Sequence, residues 1–155
     1  MNDIAAFLLA CAGCFGLTAV SAVVPWVNAE LVLLSFTATA PSPATTAVLV
    51  LVATVGQMTG KLALYAAGRH GSRAPSPRIA RLLDTWRPRC QANPSQADRL
   101  VLVSSTIGFP PFIMTSLLAG ALGMDLARFV ITGSIGRLLH FGAVALLGNV
   151  IAGFF

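Results

Sequence analysis

The stretch VVPWVNAELVLLSF, residues 23–36, decides how this chain is read. Before it runs Ile4–Val24, nearly uncharged and long enough to match the ~20 residues a helix needs to cross a ~30 Å hydrocarbon core. Pro25 stops that helix, because proline lacks a backbone donor and its ring clashes with the preceding turn. The apolar run that resumes at Ala29 lasts only to Ala40, where Pro41 and Pro43 close it. At ~1.5 Å per residue it covers about 18 Å, too little to span. Residues 25–40 therefore read as a re-entrant half-helix that enters and leaves on one face. Within it stands Glu30, and no other charged residue occurs between Asp3 and Lys61.

Composition says why such an acid is unusual. Of 155 residues, 56% are hydrophobic and 10% charged, with a mean hydropathy of +0.82. Soluble domains carry about 25% charged residues, so this chain could not cover itself with polar surface in water. The class is an all-α integral membrane protein, one membrane domain over 1–155, without a separate water-soluble catalytic domain. Its net charge of +5 is concentrated between Arg69 and Arg99, where seven Arg face two Asp. The positive-inside rule accounts for that loop and places it in the cytosol, so the basic balance requires no nucleic acid partner. Three cysteines make no disulfide framework. Cys11 and Cys14 read as small apolar residues on one helix face, and Cys90 as a reduced thiol of the basic loop. The start, MNDIAAF, lacks the basic region of a secretory signal.

Thr45–Gly68 is long enough for a second span. Lys61 lies in its last third, where a lysine is expected to snorkel toward the loop side. Gly56-x-x-x-Gly60 invites close approach of another helix. In the basic loop, 69–99, Ser76 and Pro77 form a helix start, a cap followed by proline at the first helical position. Ile79, Leu82, Leu83 and Trp86 then recur at helical spacing, with Arg78, Arg81 and Arg87 toward the polar side. This predicts a short amphipathic helix on the membrane surface, Trp86 at headgroup level, ended by Pro88 and Pro94; the alternative is a solvated loop with one helical turn. Leu100–Gly123 is apolar but broken by Gly108-Phe109-Pro110-Pro111, and in lipid such backbone must be buried in protein or face a wet cavity. It is the second re-entrant candidate, 100–123. Asp125 to Val150 is the last span and contains Arg137 and His140. About three crossings and two re-entrant helices follow, with a first half over 1–68 and a second over 100–155, and with the N-terminus cytosolic.

The broken segments hold corresponding places in the two halves. Aligning Pro25 with Pro110 sets PWVNAELVLLSF beside PPFIMTSLLAGA and Glu30 opposite Thr115. A proline-interrupted apolar segment in each half points to an inverted-repeat transporter whose polar cavity lies near the midplane. A charge at a helix centre costs about 2.5–3.5 kcal/mol on insertion scales, so Glu30 and Arg137 call for a partner. They are expected to share one cavity, either pairing or alternating as proton carrier and anion site; the alternative is a pair that only locks two helices together. His140, one turn from Arg137, reads as a helix–helix hydrogen-bonding group or a proton relay. Enzyme signatures are absent: no G-x-S-x-G, no H-E-x-x-H, no Walker loop. Two histidines, 70 and 140, do not make a metal site, and no cofactor is implied.

These residues also resemble a known family. GQMTGKLALYAAGRHGSR (56–73) resembles the G-x-x-x-G…Y-x-x-G-R-x-x-G stretch of the DedA family, also called the VTT or SNARE-associated Golgi family. AGALGMDLARFVITGSIGRLLHF (119–141) resembles its A-G-x-x-G-M…R-F…G-R block, and PWVNAELVLL its P-x-x-x-E first re-entrant segment. The length resembles the YqaA-like branch. The resemblance implies a bacterial inner-membrane protein with two facing re-entrant helices, a lipid scramblase or proton-coupled transporter. It implies that Glu30 is the membrane acid and Gly136-Arg137 the late G-R pair, with Gly60, Tyr65, Gly68, Arg69, Gly120 and Gly123 structural. The second dip, SSTIGFPPFIMT (104–115), departs from the family pattern by lacking arginine, so Arg137 and Lys61 would have to supply positive charge. The expected function is movement of a lipid or small solute, with membrane lipids as partners and a homo-oligomer left open. The alternative is a non-transporting membrane protein that stabilises a partner complex.

Overall fold

The computed structural model describes residues 2–40, 42–71 and 77–152. Pro41, Arg73 and the Ser76 cap fall outside the described residues. Seven helices, and no strand, occur among the described residues: α1 Asn2–Ser21, α2 Ala29–Thr37, α3 Pro43–His70, α4 Pro77–Ala92, α5 Ser95–Ile107, α6 Phe112–Ala121 and α7 Leu126–Ala152. Three segments are long and apolar enough to cross a membrane: Asp3–Ser21, Pro43–His70 and Leu126–Gly148. The chain is thus an all-helical membrane protein with three candidate spans.

The first break follows local chemistry. α1 stops at Ser21, four residues before Pro25. α2 then starts on Asn28, whose side-chain oxygen accepts from the amides of Glu30 at 2.8 Å and Leu31 at 3.1 Å. That cap satisfies two of the amides a helix start leaves open, which lets a nine-residue helix begin inside an apolar sequence. At the second break α5 ends on Gly108, whose φ of 84° is the left-handed conformation that glycine adopts without strain. Pro111 then opens α6.

Two boundaries differ from the sequence reading. α5 begins at Ser95, five residues before Leu100, because its polar first turn, Ser95-Gln96-Ala97-Asp98, carries no apolar signal. α4 runs through Pro88 to Ala92 rather than ending there. Proline removes one bond, the one to the Asp84 carbonyl, and Asp84 and Pro88 are both exposed, so water can take that carbonyl.

The chain forms two compact units, Met1–Gly60 with Leu138–Phe155, and Lys61–Arg137. The core of the first gathers Cys14, Leu33, Leu49, Ala53, Phe141 and Ala145. Its helices α1 and α3 touch backbone to backbone at the anticipated glycines. A Cβ on Gly56 would sit 2.5 Å from the Phe15 carbonyl oxygen, and one on Gly60 2.5 Å from that of Ala19. In the second unit Phe129 stacks on Tyr65 with ring centroids 4.9 Å apart and lies 6.3 Å from Phe112. Here α3 and α6 meet through a reciprocal pair of glycines. A Cβ on Gly68 would be 2.0 Å from the Leu117 oxygen, and one on Gly120 2.0 Å from the Tyr65 oxygen.

Candidate functional site

Each unit holds a buried or half-buried polar cluster. In the first unit, Glu30 sits in the opening turn of α2, where the exposed amides and the helix dipole favour a carboxylate. His140 of α7 meets it, its Nε2 2.9 Å from Glu30 Oε1. The His140 ring also lies against Phe141, centroids 5.8 Å apart. With a neutral imidazole, Nε2–H donates to the carboxylate; with a protonated carboxyl, the donor and acceptor exchange roles. Either group can therefore be the donor of this bond. His140 is thus a direct partner of Glu30, a pairing the sequence reading did not make.

In the second unit two cations lie over one aromatic ring. Lys61 Nζ is 5.3 Å and Arg137 Cζ 5.0 Å from the centroid of Phe112. Lys61 is 2% exposed and Arg137 6%. Lys61 therefore does not snorkel, as its place in the span had suggested: the face of Phe112 holds its ammonium inside the protein, at the distance of a cation–π contact. Arg137 reaches the ring from α7 because the preceding Gly136 admits α5. A Cβ there would stand 1.9 Å from Ser105 Oγ.

Four buried hydroxyls complete this unit's polar interior. Ser104 Oγ donates to the Pro110 carbonyl and is 2.8 Å from Thr115 Oγ1. Ser116 Oγ donates to the Phe112 carbonyl at 2.6 Å, and Ser105 Oγ to that of Leu102 at 3.0 Å. The Ser104 bond satisfies the Pro110 carbonyl, which lies in the break between α5 and α6 where no helical ladder reaches it. It also leaves hydroxyl lone pairs as the groups able to accept from donors. Thr115, singled out in the sequence as the counterpart of Glu30, is 1% exposed and belongs to this network. Phe112 and Ser104 were not singled out; their signal was the Gly108–Pro111 break, which folds residues 104 and 115 onto each other.

Tyr65, Gly68 and Arg69 form a second, more exposed cluster. The Tyr65 hydroxyl donates to the Met124 carbonyl, and Arg69 Nη1 donates to Tyr65 Oη at 3.1 Å and to the same carbonyl at 3.3 Å. On α4 the amphipathic division holds: Ile79 is buried, Arg78, Arg81 and Arg87 are exposed, and Trp86 is half-buried with Arg89 over its ring. Arg128 pairs with Asp98 at the surface. Half-buried Cys90 has its thiol pKa pushed up, first by burial and then by the Asp98 carboxylate. Among the described residues no three His, Cys, Asp or Glu side chains are grouped to hold a metal ion. Glu30 belongs to the first unit and Arg137 to the second. No family model matches the chain, and neither the curated proteins nor the solved structures contain a match.

Proposed function

We propose that the protein is a multi-pass inner-membrane transporter of the DedA type that moves a lipid or small solute, coupled to protons. The observation that carries this reading is the Glu30–His140 hydrogen bond, 2.9 Å long, between α2 and a membrane-spanning helix. Ionisable groups within spans are expensive and mark ion or substrate pathways. The bond sets a proton donor directly against a proton acceptor. The buried Lys61 and Arg137 over Phe112 supply the complementary half, a positive interior that draws an anionic group. In this reading α2 and α6 are facing re-entrant helices of an inverted repeat. Glu30 and Arg137 then act in turn as proton carrier and anion site, and the 69–99 loop and N-terminus are cytosolic.

The test is flux in proteoliposomes under a pH gradient, with labelled phospholipids and small anions. Glu30→Gln keeps an oxygen that can accept from His140 but cannot titrate. It should leave folding intact and abolish the dependence of flux on the gradient. Arg137→Ala should lower flux at every pH. Gradient-driven flux at the wild-type rate in Glu30→Gln would refute the proposal.

A further inference from the structure

The helix α4 of the basic loop turns a row of arginines outward, and its inner side shows which way is outward. Ile79 is 3% exposed. Leu83, Trp86 and Cys90 follow it at i+4, i+7 and i+11, on one face of the helix, and all three are half-buried. Cys90 shares a cavity of about 350 Å³ with Ala97 of α5 and with Leu122, which caps α6. The apolar side of α4 is therefore seated on α5 and α6. A helix that lies in a bilayer surface must put that side into lipid, and here protein occupies it.

On the outer side stand Arg78, Arg81 and Arg89, at i, i+3 and i+11. With 3.6 residues per turn they fall within a sector of about 80° and form a row about 16 Å long. Thr85, between them, is neutral and hydrogen-bonded back to the Arg81 carbonyl at 2.9 Å. Arg87 falls on the other flank of the inner side. All four arginines are exposed. The ion pairs among the described residues are Arg128–Asp98 and His140–Glu30, so no carboxylate of the described chain neutralises the row. The Arg89 guanidinium rests over the Trp86 ring, 5.3 Å from its centroid, which positions it without cancelling its charge. Charge complementarity calls for an acidic partner. A nucleic acid gains its affinity from many phosphate contacts, and three cations supply few.

We propose that the outer side of α4 docks an acidic helix of a water-soluble protein, with carboxylates of that helix set against Arg78, Arg81 and Arg89. A carboxylate takes two parallel donors from one guanidinium, so each pair fixes orientation as well as position. The docking needs only α4 and its seat on α5 and α6, so it stands whether or not the protein transports.

The test uses the full chain in phosphatidylcholine nanodiscs and a fluorescent helical peptide with three glutamates on one face, its glutamine counterpart serving as reference. Fluorescence anisotropy should show the glutamate peptide bound about tenfold or more tightly, a factor of about two to five for each exposed pair. Arg78→Gln/Arg81→Gln should weaken that peptide by about fivefold. Arg87→Gln/Arg99→Gln removes the same charge from exposed positions outside the row and should stay within about twofold. Circular dichroism checks the fold of both variants. Equal affinity for the two peptides, or equal loss in the two double variants, overturns the proposal. A single-stranded oligonucleotide of the same charge that displaces the peptide as well as unlabelled peptide does overturns it in favour of a site for any polyanion. Displacement by phosphatidylglycerol vesicles overturns it in favour of a bilayer contact.

Discussion

Gly120→Ala probes the contact that positions the Phe112 ring. A Cβ at residue 120 would stand 2.0 Å from the Tyr65 oxygen, 2.8 Å from the Arg69 nitrogen and 2.9 Å from the Tyr65 carbonyl carbon. Carbon and carbonyl oxygen approach no closer than ~3.3 Å in ordinary packing, so α6 must withdraw from α3 by about 1.3 Å at this point. Sliding gives no relief, because Gly68 on the facing helix is as tightly placed against Leu117. Overpacking of this kind costs about 1–3 kcal/mol. The same shift moves Phe112, the first residue of α6, away from Lys61 and Arg137, and weakening buried cation–π contacts adds about 1 kcal/mol. A total of about 2–4 kcal/mol corresponds to a fall in melting temperature of about 4–16 °C at this chain length. Circular dichroism melts in detergent would read it. The control is Gly142→Ala in α7, where a Cβ meets nothing within 4 Å; helix propensity predicts an unchanged or raised melting temperature. If Gly120→Ala melts within a degree of the wild type, the backbone contact between α3 and α6 is refuted.

Ser104→Ala should destabilise by about 1–3 kcal/mol in the same melt, because Ser104 is fully buried and its removal strands the Pro110 carbonyl, while Thr115 Oγ1 keeps its bond to the Phe112 carbonyl. Cys90 should react with maleimide more slowly at neutral pH than an unstructured peptide thiol, and faster as pH rises, since the thiolate is the nucleophile. Asp98→Asn should speed it at fixed pH. The sign for stability is the same: folding favours the protonated thiol, so its contribution is complete at low pH and is lost as pH rises through the elevated value.

The spans were legible because their signal is length and apolarity alone, and 4–24, 45–68 and 125–150 match helices within a few residues. The broken segments were legible as breaks because Pro25, Pro110 and Pro111 act locally. What was not legible depends on residues far apart in the chain. Lys61 reads as a snorkelling lysine unless Phe112, 51 positions on, is known to lie beneath it. Glu30 reads as a partner for the strongest cation in a span, Arg137, whereas the hydrogen bond in its own unit comes from His140. Pro88 reads as a stop because sequence does not say which carbonyls water can reach. Asn28 was readable as a cap, since Asn before an apolar run is a helix-start signal.

The Glu30–His140 bond closes a loop of 110 residues. During synthesis α2 is made long before α7 exists, so the contact forms only after α7 has been delivered. The first unit takes part of its wall from residues after Leu138 and remains incomplete until then. Assembly of the first unit therefore waits on α7. A truncation that spares every residue up to Arg137 would still deprive the acid of its imidazole.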